Sequence, residues 1–228
     1  MKAVFVTGAD RGVGFALCEQ FVSHGWRVLA GQYMPEWPQL AELAQAHPEQ
    51  LTCIPLNVGD AESVRAAARA ASEQAGTIDM LINCAGVSGR DGEAELRRVM
   101  NVNALGPIRM VEAFLPLMEN GMKRLCFVSS EAGSITLAHR TEGIPYCASK
   151  HSLNMAVRLM FEELKDRGFT FRLYHPGWVR SYMSGKKGTM GNFEPEETAE
   201  VAYRQFTTDR DWEDVLMMTD VSDEIWSY

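Results

Sequence analysis

The sequence predicts an α/β chain built on one doubly wound, parallel sheet of about seven strands, with helices on both faces. Three observations carry that expectation. Apolar runs of strand length alternate with longer segments of helical period, the signature of repeated βα units. A glycine-rich turn, Thr7-Gly8-Ala9-Asp10-Arg11-Gly12-Val13-Gly14, stands between the first such run and the first helical segment. A length of 228 residues, 46% hydrophobic and 23% charged, suits one packed domain over 1–228 rather than two small ones or a disordered chain.

The elements follow in order. The first strand is expected at 2–6 and the first helix at 12–24, where Phe15, Leu17, Phe21 and Val22 supply an apolar side. Gly25 stops that helix, and 27–31 is the second strand. Pro35 and Pro38 mark a turn before a short helix at 39–46, a third strand at 51–56 and an alanine-rich helix at 60–75. A fourth strand at 78–82 leads into a long helical region at 92–119, and a fifth at 123–129 precedes a second long helix at 146–167. The sixth strand is expected at 169–174. Residues 177–194 are rich in Gly, Ser, Lys and Met without periodicity and read as a loop that serves substrate. A last helix at 195–206 and an edge strand at 214–218 complete the chain.

Composition excludes several classes of function. A formal charge of -8 with no Lys/Arg-rich tract argues against a nucleic-acid partner. No apolar run approaches the ~18 residues of a membrane span, and Met1 leads straight into a strand rather than a leader, so a cytoplasmic chain is expected. Five cysteines without a CxxC pair read as free thiols. Five histidines without HxxxH spacing give no metal site.

Two local patterns carry chemistry. The glycine turn opens the first helix, where backbone N–H groups and the helix dipole hold a pyrophosphate; Gly8 permits the turn, Gly12 gives the phosphates access and Gly14 lets helix pack on strand. Tyr146 and Lys150 lie four residues apart, so one helical face carries both, and an ammonium beside a phenol lowers its pKa toward the working pH. Such a phenol serves as acid and base while hydride moves to or from a carbonyl carbon. Ser130, at the carboxyl end of the fifth strand, is placed to stabilise the developing oxyanion. Ser129 is a rival for that role, although strand alternation aims it to the opposite face.

Together these pieces resemble the short-chain dehydrogenase/reductase family. The resemblance rests on the glycine turn, Asn83-Cys84-Ala85-Gly86 in the manner of an NNAG element, Asn103-Ala104-Leu105-Gly106, Ser130, Tyr146-Cys147-Ala148-Ser149-Lys150, and Pro176-Gly177 followed by Val179 and Ser181. It covers residues 7 to 181 and implies a Rossmann-type fold with a catalytic tetrad of Asn103, Ser130, Tyr146 and Lys150. It further implies that the cofactor touches Gly8, Asp10, Arg11, Gly12, Val13, Gly14, Gln32, Asn57, Val58, Asn83, Ala85, Gly86, Tyr146, Lys150, Pro176, Gly177, Val179 and Ser181. The sixteen residues from Ser130 to Tyr146 exceed the roughly thirteen of many members, which reads as a small insertion. Ser129–Ile135 and His175-Pro176-Gly177-Trp178-Val179 resemble the C-factor and sniffer-like carbonyl-reductase branch.

The second strand ends in Gly31-Gln32-Tyr33 without the acid that NAD-preferring members place there, and Arg11 stands where the family associates a base with NADP. NADP(H) is therefore the expected cofactor, with NAD(H) the alternative, and Arg11 as a solvated turn residue is the plain reading against it. The expected substrate is a small or medium carbonyl or alcohol. Trp178, Met183, Met190 and Phe193 are candidates for an apolar pocket or for ordinary packing. A regulatory protein that binds the cofactor with little turnover is the alternative function. The long helices resemble those that pair in family dimers and tetramers, while a monomeric core accounts for most of their apolar residues too. A homodimer or homotetramer is expected at micromolar concentration; sedimentation as a single 25.4 kDa species would reject it.

Overall fold

The computed structural model describes residues 1–183 and 186–228. Eight strands form one sheet: β1 (Ala3–Val6), β2 (Arg27–Gln32), β3 (Leu51–Pro55), β4 (Met80–Asn83), β5 (Arg124–Val128), β6 (Thr170–His175), β7 (Met218–Asp220) and β8 (Ile225–Trp226). Their order is β3-β2-β1-β4-β5-β6-β7-β8, parallel throughout except for the antiparallel β7–β8 pair. The helices are α1 (Gly12–Ser23), α2 (Pro38–Ala46), α3 (Ala61–Ala75), α4 (Glu93–Met100), α5 (Gly106–Met118), α6 (Ile144–Leu164) and α7 (Pro195–Thr207). None of the described helices is long and apolar enough to cross a membrane.

Strand alternation divides the core into two layers. Val4, Val6 and Val28 face Leu17 and Phe21 of α1, Leu40 of α2 and Phe206 of α7. Phe5, Leu29 and Leu125 point the other way, onto Val64 of α3, Phe114 of α5 and Val157 and Phe161 of α6. The expected doubly wound architecture is present, with one strand more than expected. Because β1 lies between β2 and β4, the chain reverses its winding there, and a crevice opens at the carboxyl ends of β1 and β4.

One expectation gains detail and one is corrected. The helical region expected at 92–119 is α4 and α5 joined by a π-helical turn at Asn101–Leu105, where Pro107 lacks an N–H and Asn103 turns its side chain inward onto Val87. The edge strand expected at 214–218 lies later, as β7, and continues into β8. Residues 211–215 turn instead because Glu213 folds back to accept from both Arg172 and the Arg210 amide.

That turn belongs to a buried charge cluster at the amino-terminal side of the sheet. Arg124 and Arg172 are 2% and 1% exposed, and both serve the carboxyl end of α7. Arg124 donates to Phe206 O at 2.7 Å and to Asp209 at 2.7 Å; Arg172 donates to Gln205 O at 3.0 Å, Thr208 O at 2.7 Å and both oxygens of Glu213. Two guanidiniums thus satisfy helix-end carbonyls and oppose the negative end of the helix dipole. Replacing Arg172 with Met strands those acceptors and a partly buried carboxylate. The expected loss is roughly 3–5 kcal/mol of unfolding free energy, read as a lower urea midpoint at unchanged slope; a shift under ~1 kcal/mol would contradict the cluster's role.

Candidate functional site

The glycine turn and the chain leaving β4 interlock at the crevice. Gly8 has φ +66°, and a Cβ there would stand 2.7 Å from the Ala85 Cα; one on Gly14 would stand 2.1 Å from the Gly8 carbonyl oxygen. Only glycine allows these approaches. The Thr7 hydroxyl accepts from the Cys84 and Ala85 amides, each at 3.0 Å, and so ties the two strand ends together. Asn83 donates to Cys126 O at 3.4 Å, while its buried Oδ1 has no partner among the described residues. A glycine cradle at a helix amino terminus beside an unpaired buried acceptor fits a dinucleotide's phosphates and ribose hydroxyls.

Asp10 faces elsewhere than its place in the turn suggests. Its carboxylate accepts from the Tyr33 amide at 3.0 Å and the Met34 amide at 2.9 Å, and Gln39 donates to its carbonyl at 2.9 Å. The residue fixes the turn after β2 rather than presenting a free charge.

The hydroxyl and amine groups converge at the ends of β4 and β5. Pro145 sits in the first turn of α6, whose free amides at Gly143 and Ile144 donate to Asp91 at 3.3 and 2.7 Å. This cap sets Tyr146 and Lys150 at the crevice. Lys150 is 5% exposed, donates to Val128 O at 2.8 Å and lies 5.8 Å from the Tyr146 ring centre. The expected acidification of the phenol is corrected: burial pushes Tyr146 up to about 12 against a lowering hydrogen bond with Ser130, and burial pulls Lys150 down to about 8. Tyr146 is half-buried and Lys150 buried, and at the phenol desolvation outweighs the hydrogen bond with Ser130.

Ser130 rather than Ser129 faces Tyr146. Ser129 donates to Asn154 of α6 at 2.5 Å, whereas Ser130 Oγ donates to Glu131 at 2.6 Å and accepts from the Ala132 amide at 3.1 Å. Glu131 also pairs with Arg140, which the inserted segment supplies, and lies 3.7 Å from the His175 imidazole. Desolvation opposes ionisation of Glu131, yet its hydrogen bonds with Ser130 and Arg140 carry the carboxyl below its usual range. Asn103, in the π-helical turn, exchanges hydrogen bonds with Val87 at 2.9 and 2.8 Å and donates to Ser149 at 3.0 Å. Gly86 passes close by, since a Cβ there would stand 3.6 Å from Asn103 and 3.9 Å from the Lys150 amine.

The other expected cofactor residues lie along the carboxyl edge of the sheet and at the start of α1. Gln32 closes β2, and Arg11 and Val13 flank Gly12 at the start of α1. Asn57 accepts from the Gly59 amide at 2.9 Å, and Val58 is buried beside Gly106. After β6, Pro176 O accepts from Thr198 at 2.9 Å, Gly177 packs on Phe193, Val179 bridges Phe193, and the Ser181 amide donates to Val179 O at 2.8 Å. Trp178, Met183 and Met190 are 57%, 39% and 71% exposed, and Phe193 packs on Gly177. The loop expected at 177–194 includes Ser184 and Gly185, which lie outside the described residues. A cleft of ≈ 180 Å³ lies against the inserted segment, lined by Glu131, Ala132, Leu137, Arg140, Ile144 and Cys147 among others.

The short-chain dehydrogenase family profile matches residues 2–191. Over 124 residues the chain is 44% identical to C-signal of Myxococcus xanthus, a match spanning 50% of this chain and 74% of that one. Matches to two further curated relatives span 60% and 52% of their longer chains. The fold is similar to that of NADPH-bound carbonyl reductase from chicken fatty liver, with a TM-score of 0.89 at 24% identity, covering 100% of this chain and 99% of that one. It is also similar to carbonyl reductase Sniffer of D. melanogaster, with a TM-score of 0.91 at 18% identity, covering 100% of both.

The buried lysine has a signature in solution. Its folded pKa of about 8 lies below the ~10.4 of a free lysine, so between these values the unfolded chain binds more protons than the folded one. Stability from this group is therefore lowest below pH 8 and rises as pH climbs toward 10. The unfolding free energy of the wild type minus that of Lys150→Met should increase across that interval in urea titrations; a flat difference would contradict the desolvated ammonium.

Proposed function

Because the chain belongs to the short-chain dehydrogenase family, we propose that it moves a hydride between NADP(H) and the carbonyl or alcohol carbon of a small or medium substrate, with Tyr146 carrying the proton. The observation that carries the reading is the pairing of the Ser130 and Tyr146 hydroxyls in front of Lys150, beside the glycine cradle. The nicotinamide, when bound, supplies or takes the hydride. The chain's own residues do the rest.

Backbone amides at Gly12, Val13 and Gly14 hold the diphosphate, and Arg11 and Gln32 face the adenosine ribose, with Asn57 and Val58 beside the adenine. Asn83, Ala85, Gly86 and Lys150 hold the nicotinamide ribose, and Pro176, Gly177, Val179 and Ser181 hold the nicotinamide. Arg11, and the absence of a carboxylate at Gln32, favour the form with a 2′-phosphate. A phenol held near 12 stays protonated at neutral pH, the state in which it donates to a carbonyl oxygen as hydride arrives. Ser130 holds that oxygen by turning its hydroxyl from Glu131, and Asn103 keeps the loop after β4 against α6 so that these groups stay in register. The inserted segment and its Glu131–Arg140 pair wall the substrate side.

Tyr146→Phe should leave NADPH affinity within about twofold while turnover of an aldehyde and quinone panel falls on the order of a hundredfold or more. Near-normal turnover would refute the proton-carrier role. No turnover by the wild type on that panel, together with full function of the phenylalanine variant in cells, would favour a cofactor-binding regulator instead.

A further inference from the structure

Among the described residues the guanidinium of Arg11 has no hydrogen bond or ion pair, and its one contact of charge is with an aromatic face. Its Cζ lies 4.7 Å from the centre of the Trp37 ring. Trp37 precedes α2 and is itself fixed: its amide donates to Met34 O at 3.1 Å, and the Met34 amide is held by the Asp10 carboxylate at 2.9 Å. Gln39, two residues on, donates to Asp10 O at 2.9 Å. Asp10 and Arg11 are adjacent in the glycine turn, so the ring and the cation are anchored to the same backbone. On the other side Tyr182 meets the indole edge-on, with ring centres 5.1 Å apart and planes at 74°.

The sequence makes this one contact decisive. No lysine or arginine stands between Arg27 and Arg65, so the turn after β2, α2 and β3 supply no second cation to the adenosine end of the crevice. Within the glycine turn and those elements, Arg11 is the single guanidinium placed to meet a 2′-phosphate. An arginine stacked on an aromatic face keeps its in-plane N–H fork free for bidentate bonding and loses less rotamer freedom when it meets a phosphate.

Resting on the cofactor assignment proposed above, we infer that Trp37 is a specificity-determining positioning residue: by holding the Arg11 guanidinium over its ring it sets the preference for NADP(H) over NAD(H). The indole acts through Arg11, so its effect belongs to the 2′-phosphate and not to the adenine or diphosphate that the two dinucleotides share.

Titrations of NADPH and NADH, followed by cofactor fluorescence, test this without turnover. Trp37→Leu should weaken NADPH about tenfold and leave NADH within about twofold, while Trp37→Phe keeps most of the NADPH affinity. Arg11→Gln should cost NADPH at least as much, and adding Trp37→Leu to it should cost nothing further, because the two act as one unit. Arg11→Lys, which keeps the charge without the guanidinium, should also lose NADPH affinity and serves if Trp37→Leu fails to fold. Equal losses for both dinucleotides, unchanged NADPH binding in Trp37→Leu, or wild-type affinity in Arg11→Lys would overturn the inference. A wild type that binds both dinucleotides and shows any of these results leaves the hydride-transfer reading standing; one that binds neither removes both.

Discussion

The site depends on how closely two strand ends can approach. Gly8 and Ala85 meet backbone to backbone at the carboxyl ends of β1 and β4, and the Thr7 hydroxyl holds that junction by taking two amides of the chain leaving β4. The reversal of winding opens a crevice there, but side chains at Gly8 or Gly14 would fill it. With the junction set, the start of α1 points its free amides into the crevice, and β5 delivers Ser130 to the same edge. Everything chemical is then a matter of what else is brought to that line.

Desolvation governs the groups that arrive. Sequence spacing puts an ammonium one helical turn from a phenol, and in water that pairing would favour the phenolate. Here Lys150 is buried and Tyr146 half-buried, and desolvation moves both toward their neutral forms, Tyr146 up to about 12 and Lys150 down to about 8. Glu131 shows the opposite balance, since its hydrogen bonds with Ser130 and Arg140 outweigh its burial. The difference lies in partners: the carboxylate has two donors, whereas the Lys150 amine donates only to the neutral Val128 carbonyl among its described contacts.

What the sequence made legible was whatever is local along the chain. The strand runs, the glycine turn and the Tyr146–Lys150 spacing are contiguous patterns, and β1 to β6 lie within a few residues of where those patterns put them. The π-helical turn at Asn103 and the late position of β7 were not legible, because each is decided by a contact across the fold, with Val87 in one case and Arg172 in the other. The same holds at the site. Glu131 carried a weak signal, an acid directly after a candidate hydroxyl, while Asp91, Arg140 and Trp37 carried none. Their partners are 52, 9 and 26 positions away, outside any regular local spacing.

This division explains why the two ends of the crevice differ in kind. In the proposed reading the dinucleotide end is made from the termini of regular elements, whose positions follow from strand register and backbone hydrogen bonds, with Arg11 the cation that the glycine turn brings to it. The substrate end in that reading is made from the segment between Ser130 and Tyr146, whose position rests on side-chain pairs: Arg140 on Glu131 and the α6 amides on Asp91. Because Glu131 also accepts the hydrogen bond of the Ser130 hydroxyl, the wall of the cleft and the hydroxyl nearest Tyr146 share one carboxylate. A change in the insertion therefore reaches Ser130 through that oxygen, and the length of the segment and the orientation of the serine are one structural variable rather than two.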